Sequence, residues 1–371
     1  MPPGCGASTN PAIGKGVRPQ RPLRATRGVL PLLAACGLFG AAVAGTVSAQ
    51  TRAAAGQGDA ASTQAEDQAF LRRMGSRGMR VHDPSTIVKC KDEYWIFHTG
   101  RGVSTYRSKD LVQWTRGPRI FTNAPAWVAE AVPENRGMSC WAPDVIQVDG
   151  QYFVYYSVSS FGRNTSAIAL VTNPTLDPDD PDYKWTDHGI VVQSKSSDDY
   201  NAIDPALFRD DDGRLWMSFG SFWSGIKLIE LDPKTGKRVP DSKMYSLAHF
   251  DSIEAPFICK HDGKYYLFVN WGMCCRGLRS TYNIRIGRSD TITGPYLDKD
   301  GKDMLLGGGT LFLGTEGKFI GPGHAGIYSE GGTNWFGMHF YDGTRPNGDS
   351  TLAIRTLSWG ADGWPVLDPP K

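Results

Sequence analysis

From Met79 onward the apolar residues fall in short β-branched and aromatic runs broken by Gly, Asp, Asn and Pro, with no long stripe of helical period. A unit recurs within this pattern: a polar residue, a short apolar strand, a polar turn, and a second, aromatic-rich strand. It reads HDPSTIVKCKDEYWIFHT from His82, WAPDVIQVDGQYFVYYS from Trp141, IDPALFRDDDGRLWMSF from Ile203, IEAPFICKHDGKYYLFV from Ile253 and GHAGIYSEGGTNWFGMHF from Gly323. The leading polar residues are Asp83, Asp144, Asp204, Glu254 and His324, at intervals of 61, 60, 50 and 70 residues. Each interval has room for a four-stranded sheet with its loops, and Asp-Gly and Gly-Gly pairs supply the positive φ that tight hairpins need.

Five such sheets set radially predict an all-β fold, a five-bladed β-propeller. If the first strand of each unit lines the central channel, the five leading residues converge at its mouth. A β-sandwich with irregular insertions is the alternative, but it gives no reason for a titratable residue to open every copy.

The amino end changes the picture of where the protein works. Residues 1–49 carry five cations (Lys15, Arg18, Arg21, Arg24 and Arg27) and no acid, then an apolar run from Val29 to Val47 and Ser48-Ala49-Gln50. That is the pattern of a signal peptide, and it predicts a secreted or periplasmic protein without a stable membrane span. Leu33-Ala34-Ala35-Cys36 resembles a lipoprotein box, a second way of leaving the cytoplasm. Residues 50–75 read as a flexible linker and 76–371 as the propeller domain. Without the leader the chain has 35 basic and 38 acidic residues, a balance that implies no nucleic-acid surface. Five cysteines remain, Cys90, Cys140, Cys259, Cys274 and Cys275, in no metal-ligand spacing, and their pairing is open.

Candidate chemistry follows from the carboxylates. Asp210, Asp211 and Asp212 read as turn residues. Asp83, Asp144, Asp204 and Glu254 instead sit between apolar or proline residues, where an unpaired carboxylate costs free energy, so a cation or a proton-transfer task is expected. Glycoside cleavage needs such a set: a protonated acid at the leaving oxygen and a carboxylate base for water, about 6.5–9.5 Å apart if configuration inverts. A third carboxylate nearby raises the pKa of the acid. Trp127, Trp141, Phe161, Phe222, Trp223 and Trp271 lie in segments flanking the units, where their rings could stack on a sugar. Ser108-Lys109-Asp110 with Trp114 resembles a sialidase-type turn but is expected to close an outer hairpin.

His82-Asp83-Pro84-Ser85, Trp141-Ala142-Pro143-Asp144, Ala202-Ile203-Asp204-Pro205, Ile253-Glu254-Ala255-Pro256-Phe257, the stretch from Cys274 to Tyr296 and Gly321-Pro322-Gly323-His324, in this order, resemble glycoside hydrolase family 43, most closely its endo-1,5-α-L-arabinanases. The resemblance implies an inverting hydrolase of α-1,5-L-arabinofuranosidic bonds in arabinan, working as a monomer. Asp83 would be the general base, Glu254 the general acid, and Asp204 the residue that tunes and orients the acid. Substrate contacts would come from Asp144, Trp141, Phe161, Gly162, Asn201, Ala202, Ile203, Ser221, Phe222 and Trp223. His324 matches a histidine beside a calcium ion, which would be largely water-coordinated because one imidazole is a poor calcium ligand. A family 43 β-xylosidase or α-L-arabinofuranosidase, and a non-catalytic polysaccharide-binding propeller, are the alternatives. The loop with Arg276 and Arg279 and the insert from Phe121 to Ser139 bear on endo against exo cleavage without deciding it.

Overall fold

A computed structural model describes residues 62–135 and 137–369. The expected leader and the first part of the linker lie outside those residues. The rest of the expected linker is ordered: residues 62–73 form a helix, and Leu71 and Met74 are buried beside Phe336 and Phe340. Ala, Glu, Gln and Leu favour the helix, and Phe70, Leu71 and Met74 fall on one face of it. Among the described residues no helix is long and apolar enough to cross a membrane.

The five repeats are five antiparallel sheets in chain order. Blade 1 comprises Val88–Cys90, Glu93–His98, Ser104–Ser108 and Trp114–Arg116. Blade 2 comprises Ser139–Val148, Gln151–Val158, Ser166–Asn173 and Thr186–Ser194, joined on its first strand by Gly100–Arg101. Blade 3 comprises Ala206–Arg209, Leu215–Phe219, Ile226–Leu231 and Tyr245–Ala248. Ile253–His261, Lys264–Trp271, Asn283–Ser289 and Thr310–Leu313 make blade 4. Blade 5 has Phe319–Glu330, Thr333–Asp342 and Ser350–Trp359, and its outer position is shared by the amino-terminal strand Ser76–Arg80 and the carboxy-terminal strand Pro365–Leu367, both paired to Ser350–Trp359. The two ends of the propeller are thus tied into one sheet.

Why the sheets pack as a ring is visible in their second strands. Successive side chains of a strand point to opposite faces. Val154 and Tyr156 accordingly pack with Trp95 and Phe97 of blade 1, while Phe153 and Tyr155 pack with Met217 and Phe219 of blade 3. Trp216 packs with Leu267 and Val269 of blade 4, Phe268 with Phe336 and Phe340 of blade 5, and Leu352 and Ile354 with Ile96 of blade 1. One apolar cluster therefore fills each of the five seams, and both faces of these strands are buried, so their sequence is apolar throughout rather than alternating. The Ser108–Asp110 turn does close an outer hairpin, with Asp110 Oδ1 accepting from the amides of Val112 and Gln113.

Candidate active site

The channel mouth is built by a strained residue repeated in every blade. Asp83 (φ 48°), Ala142 (41°), Asp204 (60°), Ala255 (51°) and His324 (61°) all adopt left-handed backbone, ahead of the first strand in blades 1 and 3 and within it in blades 2, 4 and 5. Such conformations are costly outside glycine and persist where surrounding structure enforces them. Here the enforcement is a ring of hydrogen bonds. Each of these amides donates to a side chain of the preceding blade: Asp83 to His339 Nδ1 (3.1 Å), Ala142 to Thr99 Oγ1 (2.8 Å), Asp204 to Ser157 Oγ (3.0 Å), Ala255 to Asp204 Oδ2 (3.2 Å) and His324 to Asn270 Oδ1 (3.0 Å).

In four blades the acceptor stands near the end of the second strand, at Thr99, Ser157, Asn270 and His339. In blade 3 that place is Gly220, whose N–H meets Ile203 O as the Thr99 N–H meets His82 O. A Cβ on Gly220 would lie 2.5 Å from the carbonyl oxygen of Gly225, so no side chain fits, and the Asp204 carboxylate supplies the missing acceptor. This register corrects the sequence alignment of the five leading residues. Asp83, Asp204 and His324 do occupy equivalent positions, but the equivalents in blades 2 and 4 are Ala142 and Ala255. Asp144 follows the strained residue by two and Glu254 precedes it by one.

That offset separates their tasks. Asp144 is buried with Oδ1 accepting from the Thr86 amide of blade 1 (2.9 Å) and Oδ2 from the Leu207 amide of blade 3 (2.8 Å). It ties three blades together and is not among the residues lining the cleft, contrary to the expected substrate contact. Burial raises its pKa to about 6 against the pull of those amides.

Asp83, Asp204 and Glu254 do converge, on a cleft of about 950 Å³. Burial works against ionisation of Asp83, but the charge and hydrogen bond of His82 (Nδ1 to Oδ2, 2.7 Å), with His324 and His339 behind them, outweigh it and hold the carboxyl far below its ordinary range. Thr99 Oγ1 also donates to Asp83 Oδ2 (2.6 Å). His82 is braced in turn: its Nε2 meets Tyr341 Oη at 3.0 Å, and Tyr341 Oη accepts from the Cys275 amide at 2.7 Å. Glu254 accepts from Ser221 Oγ (2.7 Å) and from the Tyr282 hydroxyl. Burial, then the charge of Asp83, push its pKa up to about 7. Asp204 is raised as well, by burial first and then by Glu254 and Asp83. Asp204 and Glu254 are therefore a dry carboxyl pair that keeps a proton near neutral pH, facing a carboxylate that does not.

Of the expected substrate residues, Trp141, Phe161, Gly162, Asn201, Ile203, Ser221, Phe222 and Trp223 line the cleft. Ala202 does not; it is fully buried, its amide held by Ser194 Oγ. Phe161 is 78% exposed and packs against Trp141 with ring centroids 4.9 Å apart, and Trp223 is 40% exposed, so the cleft offers uncovered aromatic faces. Trp127 packs instead into the seam of blades 1 and 2, and Trp271 stacks on Phe250 outside the lining. Cys274 and Cys275 form a vicinal disulfide in the cleft wall beside Arg276, while Cys90, Cys140 and Cys259 are free. Arg279 lies in the adjacent short turn Gly277–Arg279 and is not part of the lining.

His82, Thr99, Tyr282 and Tyr341 went unassigned in the sequence reading. His82, Thr99 and Tyr282 stand inside quoted segments, Thr99 closing the first repeat, whereas Tyr341 lies just past the last one and meets its partner His82 in another blade. For calcium, the site offers His324 Nδ1 3.5 Å from Asp83 Oδ1, with the other Asp83 oxygen already engaged. One carboxylate and imidazoles fall well short of the six to eight oxygens calcium takes, so the side chains do not form a calcium cage.

The sequence profile of glycosyl hydrolases family 43 matches residues 78–365, nearly the whole propeller. The chain belongs to this family. Among curated members it is 42% identical over 308 residues to an extracellular exo-α-(1→5)-L-arabinofuranosidase of Cellvibrio japonicus, covering 79% of this chain and 88% of that protein. It is 43% identical over 299 residues to extracellular endo-α-(1→5)-L-arabinanase 1 of Bacillus subtilis, covering 78% and 88%. Among solved structures it resembles the Cellvibrio cellulosa α-L-arabinanase complexed with arabinohexaose, with a TM-score of 0.75, 42% identity, and coverage of 78% of this chain and 96% of that one. The expected fold and family thus hold.

Proposed function

We propose that this family 43 hydrolase is exported and cleaves α-1,5-L-arabinofuranosidic bonds of arabinan with inversion. The observation that carries the reading is the opposition of an ionised Asp83, clamped by His82 and Thr99, to the proton-retaining Asp204–Glu254 pair in one aromatic-walled cleft. In this mechanism Asp83 takes a proton from water as that water attacks the anomeric carbon. Glu254 gives its proton to the departing sugar oxygen, and the C–O bond breaks. Ser221 and Tyr282 fix the Glu254 carboxyl, and they stabilise the carboxylate left after transfer. Asp204 acts from one residue away: by accepting the Ala255 amide it holds the backbone that carries Glu254, and its proximity helps keep the pair protonated.

The substrate assignment rests on relatives whose names specify α-(1→5)-L-arabinose linkages, and export on the basic-then-apolar leader together with two relatives named extracellular. One of those relatives is named for exo and the other for endo action, so the products decide between them. On debranched arabinan, oligosaccharides accumulating before free arabinose support endo cleavage and arabinose alone supports exo cleavage. Xylose release from xylan with arabinan untouched would overturn the substrate assignment.

A further inference from the structure

Beside the catalytic cleft lies a second cavity of about 450 Å³, and His82 and Thr99 line both. Its lining includes Arg80, Arg116 and Arg119 and no carboxylate. Arg80 is neutralised by Asp349 (3.2 Å). Arg116 and Arg119 enter no ion pair among the described residues. Their frame is fixed, since the Gly117 amide between them bonds Thr105 O (3.1 Å) and the Ile120 amide bonds Val103 O (3.2 Å). Gly117 packs tightly in this wall, where a Cβ would lie 2.4 Å from Thr105 Oγ1. His98 adds no charge, because burial lowers its pKa to about 4. The hydroxyls of Ser104, Tyr106 and Ser350 complete the wall.

We propose that this cavity is a subsite for an acidic sugar, a uronate carried on or beside the polysaccharide in the catalytic cleft. Arg116 and Arg119, both exposed, line this cavity without a counter-charge among the described residues, and a carboxylate there would accept charge-assisted hydrogen bonds from them. The volume falls within the range of small-molecule sites, room for a sugar ring rather than a bare ion, and the hydroxyl lining suits ring hydroxyls. The shared wall places such a residue next to the sugar whose bond is cut. The inference rests on the reading of the main cleft as a polysaccharide site.

Calorimetric titration of the full chain with sodium D-galacturonate, D-galactose, sodium acetate and sodium sulfate tests it. Galacturonate is expected to bind at least about ten-fold tighter than galactose or acetate, and to weaken as salt rises. The double variant Arg116→Gln/Arg119→Gln is expected to lose that binding by about ten-fold or more while hydrolysing debranched arabinan at a rate within about two-fold of wild type. Galacturonate binding no better than galactose, or undiminished in the double variant, would overturn the proposal. Sulfate and acetate binding as tightly as galacturonate would mark a bare anion pocket and overturn the sugar assignment. Because binding is read without turnover, failure here is distinguishable from failure of the arabinan reading.

Discussion

Glu254 shows most directly how burial becomes chemistry. It is pressed from below by desolvation and by Asp83, and a proton keeps it neutral until about pH 7. The folded pKa lies above that of an exposed glutamate, so the stability tied to the protonated form is complete in acid and is lost as pH rises through about 7. Two outcomes follow for Glu254→Gln. Turnover of arabinan should fall about a thousand-fold or more, because the leaving oxygen has no acid. Thermal stability at pH 8 should exceed that of wild type by up to about 3 kcal/mol, with no difference near pH 4. Calorimetric melts at the two pH values, alongside reducing-sugar assays, check both; a variant less stable than wild type at pH 8 would refute the desolvation account. Tyr341→Phe is the second residue-scale case. It removes the hydroxyl that braces His82 and receives the Cys275 amide, so kcat should drop about ten-fold with KM nearly unchanged.

Between elements, the ring of amide-to-side-chain bonds is what aims the catalytic groups. Ser157→Ala should leave the strained Asp204 amide unpaired and cost about 1–3 kcal/mol in urea unfolding. Asp144→Ala strips an acceptor from one buried and one part-buried amide and should cost more, about 3 kcal/mol or above, while the kcat of the protein that remains folded stays close to wild type. A kcat collapse without a stability loss would instead make Asp144 a member of the chemistry. These bonds also explain where the sequence was legible and where it was not. The strands could be read because their apolar runs and Asp-Gly turns are local. The register of blades 2 and 4 could not, because the residue that matters there is an alanine and its partner belongs to the preceding blade. The helix at 62–73 was hidden by its polar composition, and Phe70, Leu71 and Met74, packed with the apolar cluster that includes Phe336 and Phe340, reveal why it is ordered.

For the whole molecule, the repeat alone predicted five blades and a shared mouth; apolar surroundings marked four carboxylates, Asp83, Asp144, Asp204 and Glu254, and the family resemblance narrowed them to three catalytic candidates. The closure of the ring was not visible, since Ser76–Arg80 and Pro365–Leu367 lie at opposite ends of the chain yet pair with one strand. Removing residues 364–371 should therefore loosen the seam between blades 4 and 5, where Trp364 and Leu367 pack, and lower Tm by several degrees, roughly 4 °C or more. The central claim, that Asp83 delivers water from the face opposite Glu254, is tested most directly by proton NMR of a fresh digest of debranched arabinan. New reducing ends should appear first as the inverted β-anomer and then mutarotate; α-anomer as the first product, or no new reducing ends, would contradict it.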